Sequence, residues 1–239
     1  MTAEPDRLGG LNPAARIDLR QIGRERQPLL IIDDVLADPD ALIEAAKTAD
    51  WHKPHTQYPG LNAPLPAAYS QAVIRALRPL LQRGFGIPAH RQLNFFGFFA
   101  LATQGPDQLQ PIQKIPHRDS PDPFRIAMVH YLCRGQAGGT AFFRHQATGF
   151  ESIDFERGET YDRTAAGELA AGGERLTRHV TAETPHYEQV DVAAMAFNRL
   201  VVYRSHVLHS GLLEESRLSD DPATGRLTAN SFLEVARPG

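Results

Sequence analysis

The sequence predicts a mostly β fold of the α+β class, in which two N-terminal helices pack on one outer face of a sheet. Helical periodicity is confined to the first 90 of the 239 residues, and strand-like patterns follow it. Helices that precede a run of strands are typical of a β core covered on one side. The length fits one large domain, so we expect a single domain over 1–239, with a helical support at 1–90 and a β core at 91–239.

The N-terminal part of this support is predicted to hold a short strand and a helix. Residues 1 to about 27 are expected to be weakly structured. Leu29–Ile32 is an apolar run, which is typical of a buried strand. Asp38 and Pro39 suit the N-cap and the first position of a helix, so we expect a helix to start there.

A loop and a second helix complete the support. Residues 51–64 are rich in proline and contain a glycine, so they are expected to form an ordered loop. From about Pro66 to Arg83 the apolar residues recur at helical spacing, and Gly84 is expected to end this helix.

Five strands and one long excursion are predicted for the core. The strands are Leu93–Ala100, Phe124–Leu132, Gly139–Arg144, Leu200–Tyr203 and Leu227–Val235. Residues 151–190 are polar and contain several glycines, so they are expected to leave the sheet. Two interpretations stay open for this excursion: a lid over a site, and a solvated, disordered loop.

The composition excludes several classes of protein. Lys and Arg number 25 and Asp and Glu 28, a net charge of −3, which argues against nucleic acid or membrane as a partner held by charge. The single cysteine, Cys133, excludes an internal disulfide and a multi-cysteine metal site. We expect a cytoplasmic protein, because the N-terminus is polar and no apolar run reaches the roughly 20 residues of a membrane span. Any bound metal would have nitrogen and oxygen ligands.

The first candidate for chemistry is the tripeptide from His117 to Asp119. Side chains alternate in an extended chain, so these two project to the same side. An imidazole and a carboxylate placed in this way can occupy two adjacent positions of an octahedral metal ion. A simple His–Asp hydrogen bond is the alternative, and the motif alone does not exclude it.

His209 follows the apolar strand Leu200–Tyr203 and is the candidate for a third ligand. Two histidines and one carboxylate on one face of a metal leave three positions open, which suits non-haem Fe(II). His206 is the rival ligand, because its spacing from His209 resembles helical ligand spacing. The residues before it have a strand pattern, which favours His209.

The last predicted strand begins with a candidate anion site. Period two places Arg226, Thr228 and Asn230 on one face. A guanidinium stays charged and binds a carboxylate through two parallel hydrogen bonds, and the Thr228 hydroxyl adds a second donor. An ordinary surface arginine at the start of a strand is the alternative.

An H-x-D motif, a distant histidine and an R-x-T pair resemble the Fe(II)/2-oxoglutarate-dependent dioxygenase superfamily. Arg125–Leu132 followed by Gly138–Phe142 resembles the strand pair of its prolyl-hydroxylase-like branch. The resemblance covers about residues 90–235. A bacterial family of uncharacterised function, assigned to the same superfamily, is similar in the segments Asp33–Asp40, Tyr58–Gly60 and Gly225–Asn230.

The resemblance implies a double-stranded β-helix (jelly-roll) core that binds Fe(II) and 2-oxoglutarate. The residues that match the family's iron ligands are His117, Asp119 and His209.

The resemblance also implies how 2-oxoglutarate is held. Arg226 matches the residue that pairs with the distal carboxylate, and Thr228 and Tyr131 match the hydroxyl groups beside it. Arg217 is the competing arginine, because its spacing from His209 is closer to that of the branch.

The implied activity is oxygenation, most simply hydroxylation, of a small molecule, an amino acid or a peptide side chain, with release of succinate and CO2. Arg118, Arg144, Asn94 and His145 are weaker candidates for the substrate side. Two other functions stay open: a cupin-like metalloenzyme that does not use 2-oxoglutarate, and a metal-free jelly-roll binding module. The sequence does not indicate an oligomeric state.

Overall fold

Two antiparallel sheets form the core of the structure, a computed structural model that describes residues 10–56, 58–135, 138–214 and 218–236. The strands are β1 (Arg16–Ile22), β2 (Gln27–Asp33), β3 (Gly60–Pro64), β4 (Leu93–Ala102), β5 (Arg125–Tyr131), β6 (Thr140–His145), β7 (Tyr187–Ala193), β8 (Arg199–Arg204), β9 (His209–Gly211) and β10 (Leu227–Val235). The large sheet has the order β1-β2-β8-β5-β10-β4-β3, and the small sheet has the order β7-β6-β9. The predicted mostly β fold is confirmed.

Two helices, α1 (Pro39–Lys47) and α2 (Ala67–Phe85), cover one face of the large sheet. Leu42 of α1 and Leu77 of α2 join a buried apolar cluster with Leu30 of β2 and Ala229 of β10. The N-terminal helices therefore pack on one sheet, as predicted. The opposite face of this sheet is left to line a cavity.

The helix ends follow from single residues. The Asp38 side chain accepts a hydrogen bond from the Ala41 amide at 3.1 Å and caps α1, as expected. The prediction that Gly84 ends α2 is wrong by two residues. Gly86 is the C-cap, with φ of 66°, a left-handed conformation that glycine adopts without strain.

The expectation of a weakly structured segment over residues 1–27 is wrong for its second half. β1 pairs with β2 from Arg16 opposite Asp33 to Ile22 opposite Gln27. β1 is an edge strand with one solvent-facing side, so its sequence lacks the apolar run that identifies a buried strand. Residues 1–9 lie outside the described residues.

The expectation of a loop over 51–64 is also wrong at its C-terminal end. β3 pairs with β4, with Gly60 opposite Ala102 and Pro64 opposite Phe98. Glycine and proline are unusual in strands but are tolerated at a sheet edge, where β3 lies. Because β1, β2 and β3 all belong to the large sheet, the first 90 residues contribute strands as well as helices. The single-domain organisation stays a prediction.

The excursion over 151–190 is folded and is not a disordered loop. It contains α3 (Gly158–Gly172) and the start of β7. Tyr161 of α3 is buried against Phe143 and Tyr187, and the two tyrosine hydroxyls are 3.0 Å apart. Whether the excursion acts as a lid stays a prediction.

No helix within the described residues is both long enough and apolar enough to cross a membrane.

Candidate metal and cofactor site

The structure brings His117, Asp119 and His209 together where the large and small sheets meet. The backbones of His117 and His209 exchange two hydrogen bonds of 2.9 Å, as in an antiparallel bridge. The Asp119 amide donates to the carbonyl of Ser205 at 2.9 Å, which fixes the second end of the motif. One ligand atom from each of the three side chains lies within 4.8 Å of the other two.

The three side chains converge through their metal-binding atoms. Asp119 Oδ2 is 3.4 Å from His209 Nε2, and Asp119 Oδ1 is 3.8 Å from His117 Nε2. The two imidazole rings are 4.5 Å apart between centroids. This is the side-by-side placement that alternation along an extended H-x-D segment predicts.

Both histidines can present a ring nitrogen to a metal ion. His209 Nδ1 lies 2.9 Å from the Val207 carbonyl, to which it must donate, so the lone pair of Nε2 is free. Burial, and secondly the neighbouring His209, lower the pKa of His117 to about 4, so this ring is neutral at pH 7. The His117 side chain remains 54% exposed, because it faces an open cavity.

His206, the rival ligand, is not in this group. It is buried, and its Nδ1 has no hydrogen-bond partner in the described part of the chain. Burial lowers its pKa to about 4, with Arg204 as the next cause.

A cavity of about 950 Å³ opens from the three converging side chains. This volume is at the upper end of the range for small-molecule sites. Its wall is mostly apolar, and the excursion contributes His179 and Val180 to it. Of the weaker substrate-side candidates, Arg118 lines this cavity, whereas Asn94, Arg144 and His145 do not.

Arg226 lies just before β10, buried beside this cavity. It is 6% exposed, and its Cζ is 5.5 Å from the centre of the Tyr131 ring. A Cβ added to Gly211, two residues after His209, would be 3.5 Å from an Arg226 terminal nitrogen. Arg226 Nε has no hydrogen-bond partner, and no carboxylate of the described residues forms an ion pair with this guanidinium.

Thr228 and Tyr131 are directly opposite each other on β10 and β5. Both are fully buried. The Tyr131 hydroxyl is 2.6 Å from Thr140 Oγ1, and the Thr228 hydroxyl donates a long hydrogen bond of 3.5 Å to the Ala100 carbonyl. Arg217, the competing arginine, lies outside the described residues.

Three further polar groups lie in the wall of the cavity. The Tyr58 hydroxyl and the Asn62 and Asn230 side-chain oxygens are buried without a hydrogen-bond partner in the described chain, and all three residues line the cavity. Burial raises the pKa of Tyr58 to about 12, against the opposing charge of Arg226. Alternation along the last strand predicted the position of Asn230, whereas Tyr58 and Asn62 were not predicted, and the only sequence signal near them was the Tyr58–Gly60 segment, which had no assigned role.

Comparison with known proteins gives the family. A family model described as "Family of unknown function (DUF6445)" matches residues 13–233. The chain belongs to this family. No curated protein sequence matches.

Several solved structures resemble this DUF6445 member in fold. HygX from Streptomyces hygroscopicus with nickel and 2-oxoglutarate bound has a TM-score of 0.52 and 10% identity, over 88% of this chain and 84% of that one. HygX with hygromycin B also bound has a TM-score of 0.50 and 12% identity, over the same shares of the two chains. A prolyl-4-hydroxylase from Pseudomonas putida covers 84% of this chain and 100% of its own, with 16% identity and a TM-score of 0.37. The HygX matches confirm the predicted double-stranded β-helix fold.

The residues at this site fit a divalent metal and a dicarboxylate. Two imidazole nitrogens and one carboxylate form the facial donor set that non-haem Fe(II) accepts, and they leave positions open. The buried, unpartnered guanidinium of Arg226 fits an anion, because a buried charge without a partner is costly.

Proposed function

We propose that this DUF6445 member is an Fe(II)- and 2-oxoglutarate-dependent oxygenase that hydroxylates a small molecule, an amino acid or a peptide side chain. The observation that carries the proposal is one cavity with three converging metal-ligand side chains and an unpaired buried arginine beside it. Neither feature alone would distinguish this function. A site that only bound a metal would not need an unpaired arginine beside it, and a site that only bound an anion would not need three converging metal ligands.

In this proposal His117, Asp119 and His209 hold the ferrous ion through two nitrogens and one oxygen. The Val207 carbonyl keeps His209 in the tautomer that presents Nε2 to the metal. The antiparallel bridge between His117 and His209 sets the spacing of the two rings before any metal arrives.

Arg226 pairs with the distal carboxylate of 2-oxoglutarate, and Thr228 and Tyr131 provide hydroxyl groups beside it. Tyr131 and Thr140 share one hydrogen bond, which leaves a hydroxyl hydrogen of the pair for the carboxylate. The apolar cavity wall excludes water and strengthens these charged contacts.

With ferrous iron and 2-oxoglutarate bound, the site would catalyse the oxidation of a substrate C–H bond by dioxygen. One oxygen atom goes to the hydroxylated product and the other to succinate, and the carboxyl group next to the keto group leaves as CO2. The protein would hold the reacting groups in position and exclude water from the site.

Anaerobic reconstitution tests the proposal. The protein is loaded with Fe(II), 2-oxoglutarate is added, and the visible absorption band of the iron-bound keto acid is recorded with the metal content. We expect one metal per chain and a saturable band. One equivalent of zinc without any 2-oxoglutarate binding would support a cupin-like enzyme instead, and no metal at all would leave a metal-free binding module.

A matched pair of variants localises the result. His209→Ala removes one ligand, so we expect loss of the band and of the bound metal. His90→Ala alters an exposed histidine in a turn far from the cavity and should keep both. A normal band in His209→Ala would contradict the assignment of the ligands.

A further inference from the structure

The excursion over 151–190 contacts the chain segment that carries two of the three proposed metal ligands. Arg118, the middle residue of the H-x-D motif, donates hydrogen bonds of 2.8 and 2.9 Å to the two carboxylate oxygens of Asp162 on α3. Its guanidinium also lies over the ring of Tyr161, with Cζ 5.6 Å from the ring centre. Through one side chain, α3 is therefore joined to the residue that stands between two ligands.

The residues that precede the first ligand are held by the same excursion. The Tyr161 hydroxyl donates to the Pro116 carbonyl at 3.3 Å. Lys114 Nζ donates to the Leu176 carbonyl at 2.8 Å. Ile115 is buried in an apolar cluster that includes Tyr161. Contacts with the excursion therefore flank the first ligand on both sides.

The same apolar cluster reaches the neighbour of the third ligand. Leu208, which directly precedes His209, is fully buried in this cluster with Phe143 of β6. The Phe143 amide donates a hydrogen bond of 2.9 Å to the Leu208 carbonyl. One packed cluster therefore contains residues that are close in sequence to both histidine ligands.

The packing of α3 is that of a fixed element. Tyr161 is 5% exposed and Ala165 is 6% exposed, and the Tyr161 hydroxyl is 3.0 Å from that of Tyr187. If α3 moved away from the cluster, as an opening lid does, these side chains would become exposed and the contacts with the ligand segment would break. Because exposure of buried apolar surface costs free energy, the packing favours a helix that stays in place.

We infer that α3 positions the metal ligands and does not act as a lid, with Asp162 and Tyr161 as the positioning residues. Asp162 acts through Arg118, and Tyr161 acts through the Pro116 carbonyl. Together they fix the extended segment from which the first two ligands project toward the metal. The inference rests on the proposed function, since it concerns the metal ligands of that site.

Binding of Co(II) to the metal-free protein tests the inference. Co(II) is titrated in competition with a chelating dye, and its visible absorption spectrum reports the geometry of its ligands. In Asp162→Asn we expect Co(II) to bind about threefold to tenfold more weakly, with an altered spectrum. Glu159→Gln is the matched control, because it removes an exposed carboxylate from the same helix, where Glu159 lies 3.8 Å from Arg163. The control should keep the affinity and the spectrum of the unaltered protein.

A second variant separates the effect of position from the effect of charge. Loss of the Asp162 charge would by itself weaken the binding of a cation nearby. Arg118→Gln removes a positive charge, so charge alone would make Co(II) bind more tightly, whereas loss of position would make it bind more weakly. We expect weaker binding in both single variants and no further loss when they are combined, because the two residues act as one pair.

Amide hydrogen exchange in the metal-free protein gives a readout that does not depend on the metal. The amides of His117 and Asp119 each donate a backbone hydrogen bond of 2.9 Å, and both should exchange faster in Asp162→Asn and in Tyr161→Phe than in the unaltered protein. The Asp162 side chain is more than half exposed, so Asp162→Asn should leave the free energy of unfolding almost unchanged. A local change in exchange is then distinct from a general loss of stability.

Two results would overturn the inference. One is a Co(II) affinity that stays within about twofold of the unaltered protein in both Asp162→Asn and Arg118→Gln. The other is tighter binding of Co(II) in Arg118→Gln, because charge alone would then explain the variants. If Co(II) binding depends on this pair but 2-oxoglutarate does not bind, the role of α3 stands and the proposed function fails. If the unaltered protein binds no Co(II), both proposals fail.

Discussion

Arg144 and Arg226 are both buried arginines, but among the described residues only Arg144 has carboxylate partners. Arg144 lies on the small sheet, is 8% exposed, and donates hydrogen bonds of 2.5 and 2.6 Å to Glu151 and Glu188. Arg226 lies beside the cavity and has no carboxylate partner in the described part of the chain. A buried charge must be compensated. The first arginine therefore stabilises the fold, and for the second we propose that a bound ligand brings the negative charge.

A similar contrast separates His130, on the helix face of the large sheet, from two side chains that line the cavity. On the helix face, His130 is fully buried, and both ring nitrogens have partners, the Tyr69 hydroxyl at 3.2 Å and Asn198 Oδ1 at 3.1 Å. On the cavity face, polar atoms of Asn62 and Asn230 have none within the described residues. Buried polar groups without partners are rare in folded proteins, so their concentration in one cavity indicates a binding site.

The largest effect on stability is expected for Arg144→Met. Removing this guanidinium leaves Glu151 buried without its partner, so we expect a loss of about 3–5 kcal/mol in the free energy of unfolding. Urea denaturation measures it. Binding of 2-oxoglutarate to the folded fraction should be unchanged, and a loss of less than about 1 kcal/mol would contradict the structural role.

His130→Ala should cost somewhat less, about 3 kcal/mol. The substitution leaves the Tyr69 hydroxyl without its His130 partner, removes one of the two hydrogen bonds that Asn198 Oδ1 accepts, and opens a small void beneath α2. Because His130 faces the helices, 2-oxoglutarate affinity should not change. A variant with normal stability and weakened 2-oxoglutarate binding would reverse the assignment of the two faces.

Arg226→Met is expected to behave in the opposite way to Arg144→Met. The affinity for 2-oxoglutarate should fall about tenfold to hundredfold, because one charge-assisted pair is lost. The free energy of unfolding without ligand should stay the same or rise by about 1 kcal/mol, because an uncompensated buried charge is removed. Calorimetry measures the affinity for 2-oxoglutarate, and urea denaturation measures the free energy of unfolding. A destabilised variant with unchanged 2-oxoglutarate affinity would contradict both expectations.

The smallest effect is a pH dependence from His130. Burial lowers its pKa to about 4 in the folded state, and an unfolded histidine has a pKa of about 6.5. Between these values the unfolded state binds more protons, so stability is full above pH 6.5 and is lost as the pH falls toward 4. From pH 7 to pH 5 this residue should account for about 2 kcal/mol. The free energy of unfolding of His130→Ala should therefore fall less steeply between pH 7 and pH 5 than that of the unaltered protein. The same pH dependence in both proteins would contradict a lowered pKa for His130.

The sequence predicts those parts of the site that depend on local geometry. Alternation along a strand puts His117 beside Asp119 and puts Thr228 on the same face of β10 as Asn230, which lines the cavity, and these relations involve only neighbours in the chain. The pairing of Thr228 with Tyr131 follows from two strands with strong apolar patterns.

The parts that the sequence does not predict depend on pairing between distant strands. Tyr58 and Asn62 reach the cavity only because β3 adds to the edge of β4, and Phe96 meets Phe232 only through the register of β4 on β10. A polar edge strand such as β1 has no apolar period to reveal it.

Diffraction from crystals soaked with nickel and 2-oxoglutarate tests the central claim most directly. Anomalous scattering locates the metal, and difference density locates the dicarboxylate. We predict a metal within about 2.1 Å of His117, Asp119 and His209, with the distal carboxylate of 2-oxoglutarate on Arg226. A metal bound elsewhere, or a carboxylate held by Arg217 with Arg226 still unpaired, would contradict the account.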